Sequence, residues 1–324
     1  MPELSPSVLI IRLDAIGDAL ALTPLLAALR SRGIPVDVVL RESNAGIFAP
    51  QALRRSIIAR FQLRSSSHSN RSEIEALGQS LRANAYSHTL VATEDPSGYR
   101  LAQAVAAPVR IGFVNGWGKP IKTLWSRRLL TGTVYRSADL DPAAPHECEV
   151  LFRLAASLIG DEKPSRDAAK LRPLVLESEP VPDDRITIQI TEKWQRLGIP
   201  ASDVVELVRR VAANGPLQLV SAQREERYAQ RIAESTRLRV VRFNDLAQWK
   251  AAIGAAAALV APDSGAMHVA GMVGTPVVGI FPPGRNYPLQ VARWAPWAAP
   301  HRTIRADDGW AVRAADALRT LLSA

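Results

Sequence analysis

The chain has 324 residues, with 40 lysines and arginines against 31 aspartates and glutamates, a formal net charge of +9. At roughly 100–200 residues per domain, this length suggests two domains, each able to bury its own core. With 47% apolar and 22% charged residues the composition is globular rather than disordered, and a single cysteine, Cys148, excludes a disulfide framework and a cysteine-based zinc site. One cysteine also fits a reducing, cytoplasmic setting.

The short, polar start is not expected to act as a secretory or transit signal. Ser7–Leu13 is a continuous apolar run suited to a strand buried on both faces. A turn at Asp14–Asp18 leads into Ala19–Arg30, whose leucines recur at helical spacing, and Gly33 ends that helix. Strands are expected at Val36–Leu40, His88–Ala92 and Val109–Phe113. Texture changes around Gly160, where prolines and charges replace periodicity. Strands then follow at Arg185–Ile190, Leu217–Ser221, Leu238–Val241, Leu259–Ala261 and Pro276–Phe281. Helices are expected at Ser202–Asn214, Gln223–Ser235, Leu246–Ala258, Gly265–Val273 and Gly309–Leu322. The uncharged stretch Ser264–Gly284 has the length of a membrane span. Its glycines and prolines break it into helix, turn and strand, so no membrane-spanning segment is expected.

Strands alternating with helices predict an α/β protein of doubly wound parallel sheets. The expected division is 1–168, a linker at 169–184, and 185–324, with the last helix free to pack back on the first domain. In such folds ligands bind beyond the carboxyl ends of the strands.

Three segments fall at those ends. In Arg12-Leu-Asp-Ala-Ile-Gly-Asp18, Gly17 permits an unusual turn and Asp18 sits where a helix begins. A carboxylate there caps a helix far more often than it catalyses, and pattern alone leaves both readings open. Asp14 is equally a turn residue. In Ala261-Pro-Asp-Ser-Gly-Ala-Met-His268, Asp263 and Ser264 suit a helix cap, Gly265 admits a ligand to the backbone, and the first amides form a phosphate site. His268, one turn further on, either faces a ligand or packs. In Thr191-Glu-Lys-Trp194, Lys193 is placed to neutralise a phosphate or simply to be solvated, and Trp194 suits packing better than stacking.

These segments resemble the family 9 glycosyltransferases, best known as ADP-heptose:lipopolysaccharide heptosyltransferases. The resemblance runs through Val8–Asp18, Leu22-Thr-Pro-Leu-Leu26, Arg110-Ile-Gly-Phe113, His146-Glu-Cys-Glu-Val150, Ala261–Ala270 and Gly274-Thr-Pro-Val-Val-Gly-Ile-Phe281, in family order. It implies the GT-B fold, two Rossmann-like domains facing a cleft, with acceptor held by the first and nucleotide-sugar by the second. It implies Asp18 as general base, Lys193 beside the donor phosphates, and Thr191, Asp263, Ser264, Gly265 and His268 as donor-binding residues. The implied reaction inverts the anomeric centre and transfers a heptose from ADP-heptose to a lipid-linked, anionic lipopolysaccharide core at the inner membrane surface. No metal or cofactor is implied, and Asp139-Leu-Asp141, though spaced like a metal-binding pair, reads as a solvated loop. Two departures stand out: the loop before Lys193-Trp194 is short and lacks the family's glycine, and Phe281-Pro-Pro-Gly-Arg285 replaces its Gly-Pro-Thr. A same-fold transferase with another nucleotide-sugar or a protein acceptor, or a binding module without catalysis, fits the same residues.

The positive charge is uneven. Arg54, Arg55, Arg60, Arg64 and Arg71 lie in one window without acids, and Arg100, Arg110, Lys119, Lys122, Arg127, Arg128 and Arg136 in another. Basic and aromatic residues alternate in Asn115–Trp125. No RNA-binding motif accompanies them, so nucleic acid is not expected. These windows are expected to meet an anionic acceptor, with Gly17, Arg127 and Arg128 among the acceptor contacts.

Overall fold

A computed structural model describes residues 6–65, 67–137, 145–222 and 225–323. The chain divides into two compact units, Met1–Ser165 and Arg166–Ala324.

The first unit runs β1 (Val8–Arg12), α1 (Ile16–Leu20), α2 (Thr23–Ser31), β2 (Val36–Arg41), β3 (Arg55–Ala59), α3 (His68–Arg82) and β4 (His88–Val91). It continues with α4 (Pro96–Val105), β5 (Val109–Val114), α5 (Pro120–Arg127), β6 (Gly132–Tyr135), α6 (Glu147–Phe152) and α7 (Ala156–Ile159). The second unit runs α8 (Ala168–Val175), β7 (Asp183–Gln189), α9 (Lys193–Arg196), α10 (Ala201–Ala212), β8 (Leu217–Ala222), α11 (Glu226–Thr236) and β9 (Val240–Phe243). Then come α12 (Leu246–Ala255), β10 (Ala256–Pro262), α13 (Gly265–Val273), β11 (Val277–Phe281), α14 (Tyr287–Trp294), β12 (His301–Arg305) and α15 (Trp310–Leu322).

Each unit is built on one six-stranded sheet, ordered β3-β2-β1-β4-β5-β6 in the first and β12-β11-β10-β7-β8-β9 in the second. Every described pairing is parallel. The connectivity is the doubly wound Rossmann pattern in both. Strand order reverses between β1 and β4 in one sheet and between β7 and β10 in the other. A crevice opens at that reversal because the connections on its two sides leave in opposite directions.

β1 and β11 are buried along their whole length, as their continuous apolar runs require, and the neighbouring β7 is buried over its last four residues. Outer strands were harder to anticipate. β3, β6 and β12 carry exposed polar residues, so their runs lack the apolar signal of the central strands. Two expected helices also end differently. The run Ala19–Arg30 is broken into α1 and α2, because Pro24 has no N–H to continue the ladder; the Thr23 hydroxyl instead donates to Leu20 O at 2.6 Å. The alanine-rich helix expected to reach Ala258 stops at Ala255, and Ala256 joins β10 in register with β7. Sheet pairing overrides the helical preference of alanine there.

The stretch expected as a linker, 169–184, contains most of α8, whose Leu171, Leu174 and Val175 are buried in spite of Pro173. Asp167 caps α8 by accepting from Ala169 N at 3.0 Å. Arg172 then ties it to the rest of the unit, donating to Val273 O at 2.7 Å and Gly254 O at 3.0 Å. α15 closes the second core, burying Trp310, Ala314 and Leu318, and Trp310 stacks on Trp194 with centroids 5.8 Å apart.

Candidate active site

In the first unit, β1 ends at the reversal point with a charged residue closing an apolar strand. Arg12 is almost wholly buried, and its guanidinium gathers the neighbouring segments. It donates to Asp18 O at 3.0 Å, to Asp18 Oδ1 at 3.3 Å, to Glu147 Oε1 at 3.3 Å, and to Ala92 O just after β4. Asp14 Oδ2 lies 3.5 Å away. Glu147, fully buried, also accepts at both carboxylate oxygens from Arg136 Nη2, at 2.9 Å each. Arg136 reaches Glu94 at 3.2 Å as well, and Asn115, Lys119 and Lys122 complete the ring around that carboxylate. Burial pushes the Glu94 carboxyl up, but the Asn115 hydrogen bond and the three cations outweigh it and hold the group down at about 2.

Asp18 sits on the partly open side of this network. Its Oδ2 accepts from Ala15 N at 3.2 Å, as an acid in the first turn of a helix does. Its Oδ1 is steered by Arg12. The carboxylate is thus fixed at both oxygens and still about a quarter exposed (28%), an arrangement suited to a positioned base. Asp14, beside it, is pushed up by burial, against the pull of Arg12.

In the second unit, the loops after β7 and β10 flank the reversal point. Lys193 Nζ lies 3.7 Å from Asp263 Oδ2, and His268 Nε2 lies 3.7 Å from Asp263 Oδ1. Burial raises the Asp263 carboxyl, yet the His268 hydrogen bond and the Lys193 charge outweigh it and hold the group below its ordinary value. His268 is buried and meets the Trp294 ring edge-on at 5.8 Å. The start of α13 is the unusual feature. Ser264 occupies the cap position without making a side-chain cap, and its Oγ is buried with no hydrogen-bond partner. With Asp263 turned to Lys193 and His268, neither residue expected to cap α13 does so. The first amides, the Ser264 hydroxyl and, through Asp263, Lys193 thus lie together at one uncapped helix start, an arrangement that suits an anion.

The sequence profile of glycosyltransferase family 9 (heptosyltransferase) matches residues 74–312. The chain belongs to glycosyltransferase family 9. No curated protein sequence matches it. Among solved structures, a family 9 glycosyl transferase from Veillonella parvula is 15% identical, with a TM-score of 0.74 over 100% of this chain and 99% of that one. E. coli heptosyltransferase WaaC, solved with ADP, is 20% identical, with a TM-score of 0.72 over 98% of this chain and 99% of that one. E. coli ADP-heptose lps heptosyltransferase II is 19% identical, with a TM-score of 0.69 over 98% of each chain. The shared fold is GT-B, with two Rossmann-like units.

Against this family frame, the predicted site residues fare unequally. Lys193, Asp263, Ser264, Gly265 and His268 come together at one strand-end. Thr191 joins them but is already committed, donating to Glu225 Oε1 at 2.9 Å, so it braces the loop. Gly17 lies inside α1 rather than in an unusual turn. Arg127 and Arg128 are far from Asp18 within the first unit. α5 runs back from the carboxyl end of β5, and its last residues adjoin Leu129, whose carbonyl binds Arg110 at the start of β5, the opposite sheet edge. The bases that do surround the Asp18 network are Arg12, Arg136, Lys119 and Lys122. Asp139 and Asp141 lie outside the described residues; among those described, no group of three acidic, histidine or cysteine residues could hold a metal.

Four residues of these two networks went unassigned from sequence. Arg12 signals itself as a charge ending a buried strand, and Glu147 follows the His146 that carried part of the resemblance. Glu94 and Glu225 gave no local sign. Trp194 packs, as its position suggested, donating from Nε1 to Gln189 O at 2.9 Å.

Proposed function

We propose that this family 9 glycosyltransferase moves a heptose from ADP-heptose to a hydroxyl of an anionic, lipid-linked lipopolysaccharide-core acceptor at the cytoplasmic face of the inner membrane. The observation that carries the donor half is the uncapped start of α13, with the unpartnered Ser264 Oγ and Lys193 beside it. Such a start is matched to a diphosphate, which supplies the acceptors these groups lack. The E. coli relatives, solved with ADP or named for ADP-heptose and lps, support the choice of nucleotide-sugar and acceptor.

The chemistry follows from the residues. Asp18, steered by Arg12, takes the proton of the acceptor hydroxyl as its oxygen bonds to the anomeric carbon. The bond from that carbon to the diphosphate breaks, ADP leaves with the electron pair, and attack opposite the leaving group inverts the centre. Lys193, the Ser264 hydroxyl and the α13 amides meet the charge that develops on the diphosphate, preorganised and partly desolvated. Peripheral attachment suits this reading: no described helix is long and apolar enough to cross a membrane.

Asp18→Asn tests the base. The amide keeps the shape and an acceptor for Ala15 N but cannot take a proton, so transfer should fall by about 100-fold or more while ADP binding by calorimetry is unchanged. Transfer by Asp18→Asn at the wild-type rate removes Asp18 from that role. Wild-type enzyme that leaves ADP-heptose intact with every core acceptor, while consuming another nucleotide-sugar, removes the heptose assignment.

A further inference from the structure

The outer face of α5 and the turn before it remain unexplained by the transfer chemistry. A helix beside a sheet ordinarily buries its large apolar residues. α5 does the reverse: Thr123 and Ser126 face inward and are buried, while Ile121 is 85% and Leu124 61% exposed. Trp117, in the preceding turn, is 95% exposed. Tyr135, exposed on the edge strand β6, adjoins that turn at Gly116 and extends the patch.

Hydrogen bonds fix this inverted orientation. Thr123 Oγ1 accepts from Asn115 N at 3.2 Å and donates to Gly116 O at 3.2 Å, and the Ser126 hydroxyl donates to Thr123 O at 3.2 Å. Trp125 is packed on Tyr99 with centroids 5.8 Å apart. The helix cannot roll its apolar stripe inward without leaving these groups unpaired. Arg128 continues the stripe, seven residues after Ile121, with Arg127 beside it; both are exposed and, among the described residues, make no ion pair. The other bases nearby, Lys119 and Lys122, are engaged by Glu94.

We propose that this face, Trp117, Ile121, Leu124 and Tyr135 rimmed by Arg127 and Arg128, docks on an anionic lipid bilayer; the proposal rests on the reading of a lipid-linked acceptor and names the surface that meets the lipid. Apolar side chains beside unpaired arginines on an in-plane helix match the acyl boundary and the phosphate layer together. A second copy of the chain fits less well, since a two-fold contact would lay the arginines of one copy against those of the other.

Flotation of the full-length protein with vesicles tests this, in the absence of donor and acceptor. Wild type should float with phosphatidylglycerol–phosphatidylethanolamine vesicles and much less with phosphatidylcholine vesicles. Trp117→Ala and Ile121→Asp should each lower binding about tenfold or more, and Arg127→Glu with Arg128→Glu should abolish the preference for anionic lipid. All these side chains are exposed, so unchanged thermal unfolding shows the variants are folded. Trp117→Ala and Ile121→Asp should also keep wild-type transfer to a water-soluble, deacylated acceptor. Wild type that stays in the lipid-free fraction, or variants that float like wild type, overturn the proposal. So does a dimer in sedimentation that Ile121→Asp dissociates, because the patch would then be a contact between copies. Since flotation contains no sugar nucleotide, failure of the transfer reading shows in the transfer assay alone.

Discussion

Replacing Arg12 with methionine should both loosen the first unit and disarm Asp18. Methionine fills much of the arginine's volume but supplies none of its bonds. Removing one partner of a buried ion pair costs about 3–5 kcal/mol. Glu147 keeps both bonds from Arg136 Nη2, so the low end of about 3 kcal/mol applies. The carbonyls of Ala92 and Asp18 lose their guanidinium donor as well, at about 1 kcal/mol each. The sum, about 5 kcal/mol, corresponds to a drop of about 10 °C or more in the melting of a unit this size. Calorimetry of the full chain measures it, with hydrogen exchange of β1 and α6 peptides assigning the transition to the first unit. The transfer rate should fall about 10–100-fold from misplacement of Asp18, with ADP affinity unchanged. Arg12→Lys should recover only part of the loss, because a single ammonium cannot span partners that a planar fork reaches together. A stability change below about 1 kcal/mol, with wild-type protection in β1, would show that Arg12 is not the hub of this network.

At the other strand-end, Lys193→Ala should weaken ADP binding about tenfold in calorimetry, as loss of one charge-assisted contact does; unchanged affinity would place the lysine outside the diphosphate contacts. Ser264→Ala should leave stability within about 0.5 kcal/mol, because its hydroxyl has no partner to lose. The same change should lower ADP affinity several-fold, and a variant that binds ADP normally would contradict the phosphate role. Glu94 gives a pH prediction. Its carboxyl is held at about 2, below its ordinary 4.5, so its contribution is complete above the ordinary value and is lost as pH falls toward about 2. Glu94→Gln should therefore flatten acid unfolding of the first unit across that window, and an unchanged acid profile would refute the assignment.

The sequence determined the parts of this protein that depend on local patterns. Continuous apolar runs marked the central strands, since a strand covered on both faces is apolar along most of its length. The residues closing those strands, Asp18 and Asp263–His268, could be placed at ligand-binding edges because every parallel strand delivers its carboxyl end there. The edge strands β3, β6 and β12 escaped notice, for half-solvated strands carry polar residues, whereas the edge strand β9 was marked by its valines. The split of Ala19–Arg30 and the conversion of Ala256 to strand depended on hydrogen bonds and pairing rather than on residue type.

Charge is where the fold alone decided. The windows without acids suggested a broad anionic-acceptor surface, yet folding brings acids into them. Asp37, fully buried, holds Arg54 through bonds of 2.8 Å each and Arg55 through bonds of 3.0 and 2.6 Å. Glu94 takes Lys119, Lys122 and Arg136, and Glu147 reaches Arg12 from 135 positions away. The same is true of direction. Arg127 and Arg128 share a window with Lys119, but α5 carries them back along the sheet, away from Asp18. Coulomb interaction and hydrogen bonding act over a few ångströms in space, whereas the sequence records only neighbours along the chain. The excess of +9 could be counted from composition; which charges remain unpaired, and on which face, was set by tertiary structure.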